Sequence, residues 1–323
     1  MTMTNPNYFY YAKNELSQDA FFCWLIEWSV EKNKQYDESL YNTARSFLNF
    51  LLPHKINHKF LIHKCQIKQQ YKNIDFIAIL NDSLMLIFED KINSSMGYNQ
   101  LDRYSNIIKR QNQPFETYFF YIKTDIVWNH EAKKVITDRY KLIDIHATNK
   151  ILSKYQGDNQ IINDFKNSIS NKLVNYYSYK TKSYNRWSKS EWLGFIYDLS
   201  FNVDFSFFGK HYVGDNFWFV LSWKNNFLCK DCNISLEIFS KKLVIKAHVN
   251  NKLVSKNDYR NNLIKKLEAA FKDYDYRTKK RIGQCMTILE FKKLIIENDS
   301  NLDSFSTITH LNSVKNLFDN ISG

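Results

Sequence analysis

Asn73-Ile-Asp-Phe-Ile-Ala-Ile-Leu80, Asn81-Asp-Ser83 and Leu84-Met-Leu-Ile-Phe-Glu-Asp-Lys-Ile92 form the stretch on which the fold turns. Two apolar runs of strand length flank a cluster of turn formers, so the spacing predicts a β-hairpin. With Leu80 and Leu84 closing a three-residue loop, pairing continues through Ile79 and Met85 until Asp75 stands opposite Glu89. Directly opposed residues share a face, and like charges there destabilise unless something offsets them. Alternation puts Lys91 on the face of Glu89, roughly 6–7 Å further along. Two carboxylates and one ammonium are therefore expected to converge. A two-residue loop would shift the register by one and send the partner of Asp75 to the other face.

Such a cluster suits metal-assisted hydrolysis of a phosphodiester. Hard oxygen donors hold Mg²⁺, which keeps several waters and takes one or two protein carboxylates. The ion polarises a phosphoryl oxygen and lowers the pKa of a bound water, while a nearby lysine orients that water or offsets the charge of the transition state. The plain alternative is an ordinary hairpin whose charged end protrudes into solvent, with Glu89 and Lys91 as a surface pair.

The pattern resembles the PD-(D/E)XK nuclease superfamily. There an aspartate on one strand is followed on the next by an E-x-K tripeptide, then by a helix with a Gln-Leu-x-x-Tyr-like segment. The matching positions are Asp75, then Glu89 and Lys91 around Asp90, then Gln100, Leu101 and Tyr104. The run Glu15-Leu-Ser-Gln-Asp-Ala-Phe-Phe-Cys-Trp-Leu-Ile26 is similar to the opening helix of one bacterial branch. One departure is that Ile74, not proline, precedes Asp75. The resemblance covers roughly the first half of the chain.

It implies a restriction-endonuclease-like mixed central sheet flanked by helices, and a Mg²⁺- or Mn²⁺-dependent endo- or exonuclease acting on nucleic acid, DNA before RNA. Asp75, Glu89, Lys91, Gln100 and Glu15 are the catalytic candidates. Asp75, Glu89 and the backbone carbonyl of Asp90 are the expected metal ligands, and Arg103, Tyr104 and Lys109 the expected nucleic-acid contacts. A bacterial defence or restriction setting follows from the resemblance, with a second copy or a defence-system protein as further partner. The competing class is a catalytically silent nucleic-acid-binding or protein-interaction module that keeps the fold.

The net charge of +12, from 45 basic and 33 acidic residues, favours an anionic partner. The 25 Phe, 21 Tyr and 7 Trp offer stacking surfaces for bases; codon bias in an AT-rich genome accounts for the same composition. The opening Met-Thr-Met-Thr-Asn-Pro lacks a signal peptide's basic and apolar regions, and no window has a membrane helix's apolar span, so a cytoplasmic protein is expected. Five scattered cysteines fit free thiols in a reducing compartment. Cys229-Lys-Asp-Cys232 stands alone, without the second pair that a zinc ribbon needs.

Phe21, Trp24, Leu25 and Trp28 make an amphipathic helical stripe, with Ser17 as the expected N-cap. For Glu15 the two readings are helix-dipole complementarity and a further carboxylate of the metal site. A second helix is expected over 39–52, ended by Pro53, and a strand within 59–71. Leu101, Tyr104, Ile107 and Ile108 predict a helix over 99–110, with Gln100 and Tyr104 one turn apart. Strands are expected over 117–123 and 140–145, separated by a polar excursion containing Trp128 and His130, and a helix over 161–177 closes the unit.

The expected domains are 1–180, the α/β nuclease-like unit, and 181–323, an α+β target- or partner-binding region. The polar run 178–190 marks the connection. Beyond it come a short helix over 192–199, strands over 203–208, 217–223, 234–239 and 243–249, and a helical stripe through Leu263, Leu267, Ala270, Phe271 and Tyr274. No phosphate-binding loop, dinucleotide turn or nucleophile elbow is present.

Overall fold

The computed structural model describes residues 14–53, 60–92, 94, 100–109, 114–203, 207–213, 216–225, 232–239, 241–249, 255–280, 282–298 and 301–321. The chain divides into two compact units, Met1–Asn175 and Tyr176–Gly323.

In the first unit the hairpin supplies the centre. Strands β1 (Cys65–Tyr71), β2 (Ile74–Leu80), β3 (Leu84–Lys91), β4 (Glu116–Lys123) and β5 (Lys141–Asp144) form one sheet in that order. The first two pairings are antiparallel and the last two parallel, so the unit is mixed α/β. The register is the expected one, with Leu80 opposite Leu84, Ile79 opposite Met85 and Phe76 opposite Phe88. Asn81 and Asp82 take φ of 50° and 51° in the loop, a left-handed conformation that these two residue types tolerate. Residues of β2 and β3 are buried on both faces, which is why their sequences run apolar without alternation.

Helices cover both faces. On one lie α1 (Glu15–Trp28) and α2 (Glu38–Leu51), over the stacked ring row Phe76, Phe88 and Phe120. Phe21 of α1 stacks on Phe165 of a long helix, Gln160–Tyr177, with ring centroids 3.8 Å apart. On the other face α3 (Gln100–Lys109) sets Tyr104 among Ile77, Ile79, Met85 and Ile87, and Leu101 against Tyr121, Val135 and Tyr140.

Three local expectations change. The N-cap of α1 is Asn14, whose side chain accepts from Ser17 N at 2.9 Å, so Glu15 lies inside the first turn. The polar excursion after β4 contains a helix, α4 (Asn129–Thr137), whose inward residues are Glu131 and Val135. The strand expected to end at Ile145 stops at Asp144, which caps the next helix, α5 (Ile145–Leu152), by accepting from Ala147 N. The long helix 160–177 is α6.

The second unit is α+β. A helix α7 (Lys189–Leu199) opens with a capping box of Ser188 and Glu191. Strands β6 (Phe207–Val213), β7 (Asn216–Asn225), β8 (Cys232–Phe239), β9 (Lys242–Val249), β10 (Tyr276–Thr278) and β11 (Cys285–Phe291) form an antiparallel sheet in the order β10-β11-β9-β8-β7-β6. Helix α8 (Lys256–Ala270) precedes β10. A two-stranded ribbon, β12 (Glu297–Asn298) with β13 (Asn301–Leu302), leads into α9 (Ser304–Asp319). Cys229 and the side chain of Cys232 lie outside the described residues; Cys23, Cys65 and Cys285 are free thiols. Among the described residues no helix is long and apolar enough to cross a membrane.

Candidate active site

The sheet brings Asp75, Glu89 and Lys91 together. The last ladder pair is Phe76 with Phe88; one step beyond it, Asp75 turns its Oδ2 to accept from Asp90 N at 2.8 Å. Lys91 Nζ lies 2.5 Å from Glu89 Oε1, 3.8 Å from Asp75 Oδ2 and 3.9 Å from Glu15 Oε2, and donates to the Asp90 carbonyl at 2.9 Å. Glu89 is fully buried and Lys91 is 7% exposed, so the protruding surface pair is excluded. Glu15 also accepts from Ser94 Oγ at 2.5 Å and Ile92 N at 3.4 Å, which ties the first turn of α1 to the end of β3.

The opposite face of the same tripeptide is equally polar. Asp90 is fully buried and accepts from Gln18 Nε2 at 2.5 Å; the same nitrogen reaches the Lys91 carbonyl at 3.3 Å. Gln18 in turn accepts from the Thr124 hydroxyl, and Thr124 N bonds the Lys91 carbonyl at 3.2 Å. Asp19, also buried, lies close enough to Asp90 for each carboxyl to act on the other.

Burial, then the charge of Asp75, pushes Glu89 up to about 7, with Lys91 offsetting only part of the rise. For Lys91 burial acts downward, but Glu89, Asp75 and Glu15 outweigh it and hold the ammonium above the ordinary lysine range. Asp90 is raised well above a normal carboxyl by burial and by Asp19, and Asp19 by burial to about 6.

A second ionic group backs the first. In the parallel ladder Tyr121 stands beside Glu89 and Lys123 beside Lys91. Lys123 Nζ reaches both oxygens of Glu131, at 2.8 and 2.7 Å, and Tyr121 donates to Glu131 Oε1 at 2.6 Å, all three residues being buried. Tyr140 donates to the Leu101 carbonyl at 3.1 Å and so fixes the start of α3 over this face.

Gln100 opens α3, but its side chain, like that of Lys109, lies outside the described residues. Arg103 is exposed, its guanidinium 5.3 Å from the Tyr104 ring centre. Tyr104 is a correction: at 1% exposure its ring is core, packed on Ile77 and Met85, and has no surface to offer a nucleic acid. Sequence reasoning passed over Gln18, Thr124, Lys123 and Glu131. The pattern Glu15, Gln18, Asp19, Phe22, Ile26 carried a signal for the first, since these positions share one helix face that turns polar at its N-terminal end.

For a divalent ion the available donors are the Asp75 and Glu89 carboxylates and the Asp90 carbonyl, all of which face one cation already, the Lys91 ammonium. Among the described residues no group of three or more His, Cys, Asp or Glu side chains is disposed to hold a metal. The all-oxygen set fits Mg²⁺ or Mn²⁺ through two carboxylates and water, not through a closed protein cage. No protein-family model, curated protein or solved structure matches the chain.

Proposed function

We propose that the first unit is a Mg²⁺- or Mn²⁺-dependent nuclease of the PD-(D/E)XK type with a restriction-endonuclease-like core, cleaving phosphodiester bonds of nucleic acid, DNA before RNA. The observation that carries this reading is the convergence of Asp75, Glu89 and Glu15 on Lys91 at one end of the hairpin. Asp75, Glu89 and the Asp90 carbonyl would hold the ion, which supplies Lewis acidity toward a phosphoryl oxygen. Lys91, clamped by Glu89, is a fixed positive charge where negative charge builds on the phosphate oxygens. The Gln18, Asp90 and Thr124 bonds keep that end of β3 in place, so the ammonium needs little reorganisation when substrate arrives. The net charge of +12 favours a polyanion. A cytoplasmic site of action in bacterial defence belongs to the same proposal.

The silent-module reading draws on Lys91, which already pairs with the carboxylates and offsets part of their charge without an ion. One assay separates the two. The protein is incubated with plasmid, linear duplex, single strands and tRNA, in Mg²⁺, in Mn²⁺ and in chelator. Cleavage that requires the ion is expected; cleavage that survives chelator, or none with any substrate, overturns the proposal.

A further inference from the structure

The second unit holds a cavity of about 620 Å³, inside the range of about 300–1,000 Å³ usual for small-molecule pockets. Its lining sets Lys241, Lys242, Arg277, Lys293 and Lys292, the last already paired with Asp275 at 2.8 Å, against two carboxylates, Glu290 and Glu297. Glu290 is 7% exposed and is the anchor: it receives Arg277 Nε at 3.0 Å, Lys242 Nζ at 3.3 Å and Lys279 Nζ at 2.7 Å. One carboxylate facing three cations leaves positive charge over, on side chains already held in place. Both features favour a further anion.

Lys241 joins the charged lining to its aromatic part. It immediately precedes β9, whose first residue Lys242 pairs with Phe239, and its φ is 68°. Glycine and asparagine adopt that left-handed conformation readily, whereas a lysine does so under strain. The ammonium lies 5.8 Å from the ring centre of Trp192, in the cavity wall. Tyr184, 39% exposed, provides an aromatic face at the same cavity, and such faces accept any nucleobase.

We propose that this cavity binds a phosphate-bearing nucleotide, either free or as part of a nucleic-acid strand. The lysines and Arg277 take the phosphate and Tyr184 stacks on the base. The inference does not depend on nuclease activity in the first unit, because its readout is binding without metal.

The test is calorimetric titration of the full chain, in chelator and at low salt, with inorganic phosphate, ATP and a short single-stranded oligonucleotide. Saturable binding of ATP or the oligonucleotide is expected, at least about tenfold tighter than phosphate alone and weakening as salt rises. Tighter ATP identifies a free nucleotide as the ligand; a tighter oligonucleotide identifies a strand. Lys241→Gly and Lys293→Ala should each weaken binding by about tenfold, the loss of one charge-assisted contact. Lys241→Gly should also melt at the same or a higher temperature, since glycine relieves the left-handed strain. Binding by neither ligand, phosphate binding as tightly as both, or unchanged affinity in the two variants would overturn the proposal.

Discussion

Glu89→Gln tests the electrostatics of the candidate site without any assumption about substrate. In the parent protein the Glu89 carboxyl sits at about 7 because it is buried beside Asp75. The unfolded chain holds it near the ordinary glutamate value. Between those two values the folded state binds more protons, so its stability falls as pH rises. The contribution is fully favourable below the unfolded value, where the group is protonated in both states. At about 1.4 kcal/mol per unit, the loss between pH 5 and pH 8 is on the order of 2–3 kcal/mol. Glutamine does not titrate and removes this slope. Lys91 in the variant keeps Asp75 and Glu15 as partners. Urea unfolding in chelator at pH 5, 6, 7 and 8, followed by tryptophan fluorescence, measures both proteins. Histidines and other groups titrating in that interval cancel in the comparison. The parent should lose on the order of 2–3 kcal/mol relative to the variant across it. Parallel profiles would show that Glu89 is not strained by burial, and the account of the site would fail with it.

Lys91→Met keeps the buried stem and removes the charge; metal-dependent cleavage should vanish with circular dichroism unchanged, and retained turnover refutes the role given to Lys91. With Mn²⁺ at about a hundred times its dissociation constant, the parent should gain about 2.7 kcal/mol of stability, and Asp75→Asn much less; equal gains in calorimetric melting would place the ion elsewhere. Gln18→Leu withdraws the Nε2 donor from buried Asp90 and should lower stability by about 1–3 kcal/mol, an unaltered urea midpoint being the contrary result. A Cβ on Gly194 would lie 1.9 Å from the Tyr176 carbonyl oxygen, so Gly194→Ala should destabilise the second unit by about 1–3 kcal/mol or more; an unchanged melting curve would show that α7 shifts freely.

What the sequence disclosed depended on how local the determinant is. The hairpin register rests on a loop of three turn formers and two apolar runs, all within 73–92, and it was legible to the residue pair. The five-residue stripe of α2, Leu40, Ala44, Phe47, Leu48 and Leu51, was legible for the same reason, and all five are buried. Helix α4 was hidden because its inward face is Glu131, whose partners Tyr121 and Lys123 come from β4. A polar residue on a buried face looks like solvent exposure until its partner is known. Strand β11 and helix α9 were missed too: β11 pairs with β9 across the whole of α8, and α9 buries Thr307 in its stripe with Leu311, Val314 and Phe318. The site divides along the same line. Asp75, Glu89 and Lys91 are neighbours in one hairpin, while Gln18 and Thr124 join it from α1 and from the end of β4.

That division explains why the middle residue of the tripeptide is not a spacer. Successive side chains of a strand point to opposite faces, so Glu89 and Lys91 turn toward α3 while the Asp90 carboxyl turns toward α1. Its backbone serves the first face, with N–H to Asp75 and carbonyl to Lys91. Its side chain serves the second, held by Gln18 and facing Asp19. An apolar residue here would pack as well against α1, but it would lose the bond from Gln18. Gln18 is also the point at which α1 grips the end of β3, and one helical turn before it lies Glu15, the third carboxylate at Lys91. The Gln18–Asp90 bond on one face thus holds the helix that delivers a charge to the other, and the reach of Glu15 to Lys91 depends on Asp90 as well as on α1 itself.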